Sequence, residues 1–299
     1  MLDWCAVAEC PHCECLHSVE RHGGNLRCRD CGGVIVLHAD GKMIDLLSPN
    51  RDAPSHFCNE SVRAYYLAQA TSDFSTQPPW RGWGRTDPRA PGHSTFIGME
   101  RRLVEERILA LPGRKLLLDL SAGAGSWTFQ LAQYFETVIH CDLSASALKQ
   151  AYIDAQTDGL QNIYFARCDY RNVRFRAGIA DCVVMIDSLI YYGFLDDQRT
   201  LTKAAAWMDS GTLMAFDVHN DRPFPWRRSR NVTYSRCQRL ALLNALPPSM
   251  HVEAIPLGRL PMMWTRNSLT WRLAEYCRFM PAARTLYLAR SSARPPEHA

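Results

Sequence analysis

Two sets of residues in this chain have the types and spacing that chemistry requires. The first is a set of thiols. Cys10-Pro-His-Cys13 and Cys28-Arg-Asp-Cys31-Gly-Gly are two C-x2-C pairs separated by 14 residues, a spacing that brings four thiolates around one tetrahedral zinc ion. Gly32 after the second pair is the small residue that lets both sulfurs point to a common centre, whereas Glu14 follows the first pair. Cys5, Cys15, His12 and His17 stand close by as alternative ligands. A closed set of four protein ligands leaves no position for water or substrate, so the expected ion is structural and holds together a segment too short to build its own core. The competing use of such a module is to read RNA or a partner protein.

The second set is a series of acids, each at the end of a short apolar run. Asp119 closes LLLD and is followed by Leu120-Ser121-Ala-Gly123-Ala-Gly125; Asp142 closes TVIHCD, 23 residues beyond Asp119; Asp169 closes IYFARCD; Asp187 closes ADCVVMID; and Asp217 closes GTLMAFD. Glycines after a strand let the backbone turn sharply and approach a ligand. An acid about 20 residues further on, at the tip of the next strand, is placed to accept hydrogen bonds from ribose hydroxyls. The ordinary role of any one of these acids is to cap a helix or end a strand. Their order and spacing together carry the functional reading.

These residues need elements to hold them. Leu116–Leu118 form a continuous apolar run of the kind a parallel strand buried on both faces requires, and Trp127, Leu131 and Ala132 follow at helical spacing. Ser144 N-caps a helix expected to run to Gln156, and DDQRTLTKAAAWM is a helix before the strand at Gly211–Asp217. The repeated strand–helix alternation predicts an α/β fold, a doubly wound, mostly parallel sheet with a small N-terminal zinc ribbon. Ahead of it, Gly23-Gly24 makes a turn between the cysteine pairs, and GVIVLH–Asp40-Gly41–KMIDLL reads as a β-hairpin. ESVRAYYLAQA is a helix, 71–95 a Pro-, Gly- and Trp-rich loop or lid, and Phe96–Leu111 a helix beside the first strand. The expected domains are a ribbon at 1–58, a linker at 59–96, and a catalytic domain at 97–299 with a substrate-cap excursion at 222–268. Trp271–Leu273 and Thr285–Arg290 read as closing antiparallel strands, and the last residues as a disordered tail.

Composition sets the outer limits. At 299 residues, 47% apolar and 21% charged, the chain is long enough for one α/β core of about 200 residues and something smaller beside it. No apolar run reaches the roughly 18 residues of a membrane span, and the N-terminus lacks a basic-then-apolar leader. A cytoplasmic, membrane-free protein is therefore expected, with its 12 cysteines reduced. A net charge of +4 permits nucleic-acid binding without requiring it.

Taken together, Asp119-Leu-Ser121-Ala-Gly123-Ala-Gly125, then Asp142, then Cys168-Asp169, then Asp181-Cys-Val-Val before an apolar turn resemble the successive motifs of class I S-adenosylmethionine-dependent methyltransferases, over about residues 97–219. The resemblance implies S-adenosylmethionine as cofactor. Its methionine part would lie against Asp119, Ser121, Gly123 and Gly125, its ribose against Asp142 and Leu143, its adenine against Asp169 and Tyr170, with Asp187 closing the site. Ser121 stands where the family carries its first glycine. That departure motivates a third reading, a binding partner that keeps the fold without the activity. A nicotinamide-dinucleotide fingerprint fits less well, because its third glycine would fall at Thr128. The N-terminal module is similar to zinc ribbons that precede some methyltransferase domains, with MIDLL where those chains often carry an apolar–acidic stretch. One such group methylates guanine in large ribosomal RNA.

Methyl transfer needs an in-line nucleophile about 3 Å from the methyl carbon, so positioning supplies most of the catalysis. Residues just past the fourth and fifth strands face that space: Asp187, Ser188, Tyr191 and Tyr192, then Asp217, His219 and Asn220. His219 is the best single candidate for a general base, since histidine titrates near working pH, and Asp187 and Tyr191 are the other candidate catalytic residues. Its ordinary alternative is a hydrogen-bonded structural histidine. Arg222–Arg239 holds six arginines and no acid, interleaved with Phe224, Trp226 and Tyr234. It suits phosphate or base stacking, a carboxylate substrate, or a solvated helix face. The preferred acceptor is an O or N atom of a small metabolite or peptide, enclosed by the linker and the excursion. The runner-up is an RNA base of the guanine type, gripped by the ribbon and the arginines. No Asn-Pro-Pro-aromatic sequence follows the fourth strand, which argues against adenine or cytosine amino methylation.

Overall fold

The structure is a computed structural model that describes residues 1–13, 18–47, 54, 57, 59–72, 76–79, 91–221, 232–259 and 282–291, with backbone alone at 91–97, 258–259 and 283. The N-terminal segment runs α1 (Trp4–Val7), β1 (Val19–His22), β2 (Asn25–Cys28), β3 (Val34–Ile35), β4 (Leu37–His38) and β5 (Met43–Asp45), followed by α2 (Glu60–Thr71). The remainder runs α3 (Pro91–Leu109), β6 (Leu116–Leu120), α4 (Thr128–Leu131), β7 (Thr137–Asp142), α5 (Ala145–Thr157), β8 (Ile163–Arg167), β9 (Ala180–Met185), α6 (Phe194–Ala206), β10 (Met208–His219), α7 (Arg236–Leu243), β11 (Met250–Arg259) and β12 (Ala282–Ser291).

Strands β1–β3 form a small antiparallel sheet turned at Gly23-Gly24. The main sheet has nine strands in the order β11-β12-β10-β9-β6-β7-β8-β5-β4. Its centre, β10-β9-β6-β7-β8-β5, is parallel throughout. β12 is antiparallel to both β10 and β11, and β4 is antiparallel to β5. The apolar run at Leu116–Leu118 behaves as parallel burial requires, because all of β6 is buried. Leu116, Leu118 and Leu120 belong to the apolar cluster that holds Leu201 and Ala204 of α6 and Trp4 of the N-terminal segment. Leu117 belongs to a second cluster, with Val104 and Ile108 of α3 and Leu148 and Ala151 of α5. The predicted cap at Ser144 forms, its Oγ accepting from the Ala147 N–H at 3.3 Å.

Several elements differ from the sequence reading. The hairpin after the cysteine pairs forms, with Leu37 opposite Ile44 and His38 opposite Met43, but it also extends the central sheet. Met43–Asp45 pair in parallel with Phe165–Arg167 of β8. Trp4 is fully buried, donates from Nε1 to Gly41 O at 2.9 Å and meets Tyr164 edge-on. The N-terminal segment is therefore packed onto the sheet face that α6 also covers. Helix α3 begins at Pro91, five residues before the expected Phe96, with proline near its first turn, where its missing N–H does no harm. β11 lies inside the stretch read as an excursion and pairs along its length with β12. Its pattern is weak because it is an edge strand carrying Pro256, a residue that edges tolerate. Helix α7 within the same stretch is closed by a Ser235/Gln238 capping box. Trp271–Leu273, most of the tryptophan-rich linker and Arg222–Arg230 lie outside the described residues. No helix among the described residues is long and apolar enough to cross a membrane.

Candidate functional site

The glycine loop follows β6 and opens at the carboxyl ends of the central strands, the place where doubly wound sheets bind ligands. Ser121 adopts φ +60°, Gly123 φ +56° and Gly125 φ +88°. Serine takes the left-handed turn that the family fills with glycine. A Cβ on Gly125 would come within 2.3 Å of the Phe129 ring, so a larger residue fits there only if that ring moves, and the φ of +88° strains it besides. A Cβ on Gly123 would meet nothing within 4 Å, so the loop faces open space. The Gly123 N–H donates to Asp142 Oδ2 at 2.8 Å, and the Ser144 N–H donates to Oδ1 of the same carboxylate at 2.8 Å. Asp142 is thereby aimed along the loop with acceptor capacity left for a diol.

Asp119 is buried behind the loop. Thr128 Oγ1 lies 2.5 Å from Asp119 Oδ2 and 2.7 Å from His140 Nδ1, and His140 Nε2 lies 3.1 Å from Gly123 O. Burial pushes the Asp119 carboxyl up to about 7, reinforced by the nearby charge of Asp142, and burial drives the His140 imidazole down to about 4.

Asp169, at the end of β8, accepts from Tyr66 Oη of α2 at 2.9 Å, from Arg171 Nη2 at 2.5 Å and from the Arg171 N–H at 3.0 Å. Among the described residues these contacts use three of the about four acceptor directions of this carboxylate. Arg171 also reaches Asp196 at 3.6 Å, and its guanidinium lies over the rings of Tyr66 and Tyr192. Tyr170 and Tyr191 belong to the same aromatic group, their rings 5.6 and 6.5 Å from that of Tyr192. Tyr170 Oη donates to Ser188 O at 3.1 Å. Leu143 is half-buried between Asp142 and the Ser144 cap and packs against the core.

The wall past β9 and β10 is ionic. Asp187 holds φ +57° and donates its N–H to Asp217 Oδ1 at 2.6 Å. Its Oδ1 meets Arg284 Nη2 at 2.6 Å and His219 Nε2 at 3.5 Å, while Arg284 Nη1 reaches Asp217 Oδ2 at 3.1 Å. Burial alone would raise the Asp187 carboxyl, but the charge of Arg284, with His219, holds it below the usual carboxylate range. Burial instead raises Asp217, which no water reaches. Glu100 of α3 is fully buried and held above the usual range by burial and by Asp217; neither of its oxygens has a hydrogen-bond partner among the described residues. The structure brings Asp187, Asp217 and His219 together and places Tyr191 with the aromatic group. Arg284, Glu100, Thr128, His140, Tyr66 and Arg171 were not foreseen. Only His140 carried a signal, as a lone polar residue in an otherwise apolar buried strand.

The four cysteine sulfurs lie within 4.8 Å of one another. Cys10 and Cys31 are 3.7 Å apart and Cys13 and Cys28 are 3.5 Å apart. A tetrahedral zinc with bonds of about 2.3 Å has sulfur–sulfur edges of about 3.8 Å, so the donor set fits that ion in chemistry and size. The N–H groups of His12 and Gly33 donate to the Cys10 and Cys31 sulfurs at 3.3 and 3.4 Å. Burial would raise the Cys28 thiol, but the Ser18 hydroxyl and backbone N–H groups outweigh it and draw it down to about 6. His12 turns away, its Nε2 at Val34 O; Cys15 and His17 are outside the described residues.

Residues 117–211 match the family described as "Methyltransferase domain". Among solved structures, the [4+2]-cyclase SpnF superposes with a TM-score of 0.53 at 15% identity, over 81% of this chain and 98% of its own. Phosphoethanolamine N-methyltransferase 1 of Haemonchus contortus, solved with phosphoethanolamine and S-adenosylhomocysteine, superposes with a TM-score of 0.51 at 13% identity, over 80% of this chain and 50% of its own. At such identities the likeness is one of fold. A tRNA/tmRNA (uracil-C(5))-methyltransferase of a Nitratiruptor species is 35% identical over 57 residues, which are 19% of this chain and 16% of that protein. Fold, glycine loop and matched family define the class over residues 117–211: a methyltransferase domain built on a doubly wound, mostly parallel sheet.

Proposed function

We propose that the chain transfers a methyl group from S-adenosylmethionine to an O or N atom of a small metabolite or peptide. The observation that carries the cofactor half of this reading is the Gly123 N–H on Asp142, beside a loop that faces open space. When bound, the cofactor supplies an electrophilic methyl on a sulfonium. The chain's part is to hold it and to orient the acceptor. Asp142 accepts from the ribose diol, Gly123 and Gly125 let the methionine part approach the backbone, and the last acceptor direction of Asp169 is left for the adenine amino group. On the acceptor side, His219 is the base candidate, with Asp187 next to it at 3.5 Å. The cysteine set holds one structural zinc.

Calorimetric titration with S-adenosylmethionine tests the first half. Micromolar binding that weakens at least tenfold in Asp142→Ala is expected, and an unchanged affinity in that variant would remove Asp142 from the site. A second reading, RNA methylation, draws on the short similarity to the tRNA/tmRNA enzyme and on the six arginines of 222–239. It requires RNA affinity that falls steeply with salt; a flat salt response leaves the small-acceptor reading.

A further inference from the structure

We infer that Asp119, Thr128 and His140 form a buried relay that holds a single proton on the Asp119 carboxyl behind the glycine loop, and that cofactor binding expels this proton. The inference rests on the cofactor reading above for its second half alone.

The proton's place follows from the contacts. Gly123 O can only accept, so at 3.1 Å it requires a proton on His140 Nε2. The ring is fully buried and packed against Phe165 at 5.4 Å, no carboxylate among the described residues touches it directly, and burial disfavours the charged form, so it is neutral and its Nδ1 is bare. Nδ1 then accepts, and Thr128 Oγ1 at 2.7 Å gives it the hydroxyl's one proton. The 2.5 Å contact between Thr128 Oγ1 and Asp119 Oδ2 still needs a proton, and the carboxyl is the remaining source. The reverse arrangement would put a bare Nε2 against a carbonyl oxygen. The upward shift of Asp119 and the downward shift of His140 agree with this assignment.

The groups that face Asp119 are few. From β7 come Asp142, whose negative charge favours the neutral acid, and His140; from α4 comes Thr128; from β9 comes Cys182, whose thiol is buried and raised. The Thr128 N–H also donates to this carboxyl. The cofactor brings a sulfonium and an ammonium against one carboxylate, a net positive charge. Placed on the loop, it favours the Asp119 anion, and the proton leaves to solvent. His140 and Thr128 are positioning residues in this scheme: through Gly123 O they fix the loop that the cofactor touches.

Two measurements decide it. In cofactor-free protein, nitrogen-15 NMR of the histidine rings, with His140 assigned by its loss in His140→Gln, should show the neutral ring protonated at Nε2 from pH 6 to 8; an Nδ1-protonated ring or an imidazolium overturns the relay. Calorimetry with S-adenosylmethionine at pH 6.5, in two buffers of different ionisation heat, should show release of a large fraction of a proton, with affinity rising with pH by at most about tenfold per unit. Asp119→Asn keeps an N–H donor toward Thr128, and its binding should release no proton and be flat in pH. Binding without proton release in the unaltered protein overturns the coupling. Absence of any binding overturns the cofactor reading and the coupling together, while the ring tautomer still decides the relay without a cofactor or a variant at Asp119.

Discussion

Ser121 and Asp187 each hold a positive φ just past the ends of the neighbouring strands β6 and β9. A left-handed conformation costs a non-glycine residue about 1–2 kcal/mol, and glycine gives back part of that in the unfolded chain. Ser121→Gly should therefore raise stability by about 0.5–1 kcal/mol, read as a higher urea midpoint at unchanged slope. Arg284 is the opposite kind of residue, because it neutralises two carboxylates at once. Arg284→Met should lose roughly 3–5 kcal/mol at pH 7. Without the guanidinium, Asp187 and Asp217 both titrate above their unfolded values, so the deficit should grow as pH rises and shrink toward pH 5 in denaturant titrations. The Asp119–His140 pair has its own signature. Between about pH 4.5 and 6 the unfolded chain carries one proton on the imidazole, and the folded chain carries one on the carboxyl, so the pair adds no slope to stability. In Asp119→Asn the buried imidazole is alone; the unfolded chain binds the extra proton below about 6.5, and stability should rise with pH from about 4 to 6.5, by roughly 3 kcal/mol.

At the scale of elements, Arg167 joins three of them. Its side chain, 4% exposed, meets Asp45 of β5 at 3.1 Å and donates to Gln69 O and Ser72 O at the end of α2, both at 2.7 Å. Tyr66 of α2 reaches Asp169, so this arginine helps to hold α2 over the end of β8. Arg167→Ala should free α2, with faster hydrogen exchange in residues 60–71 while the amides of β6 and β7 keep their protection. Most of these elements were legible in the chain. Leu116–Leu118, the Ser144 cap and the acid at each strand end carry period, capping and punctuation locally. β11 was not legible, because an edge strand with Pro256 and partly exposed residues lacks the alternation of a buried one. The pairing of β5 with β8 was hidden for another reason. MID reads as half of a hairpin, and nothing local says that its outer edge meets a strand about 120 residues later.

For the whole molecule, the N-terminal segment and the sheet share one core. Trp4, Leu26, Cys28 and Ile35 lie in the same apolar cluster as Leu118, Ile139 and Leu201. If zinc holds the cysteines, its removal by a chelator should lower the midpoint of the main thermal transition, and by similar amounts in far-ultraviolet and tryptophan signals. An unchanged midpoint would remove zinc from the fold. The sequence by itself determined the strand–helix alternation from β6 to β10, the thiol spacing, the glycine loop and the acids at the strand tips, because each is encoded within a few adjacent residues. Tertiary structure alone decided what those acids do. Asp217 finds Arg284 across 67 residues and Asp169 finds Tyr66 across 103, and Asp119 is buried against Thr128 in reach of His140. Whether an acid faces a ligand, pairs with a cation or keeps its proton depends on burial and on neighbours brought from other elements, and local sequence encodes neither.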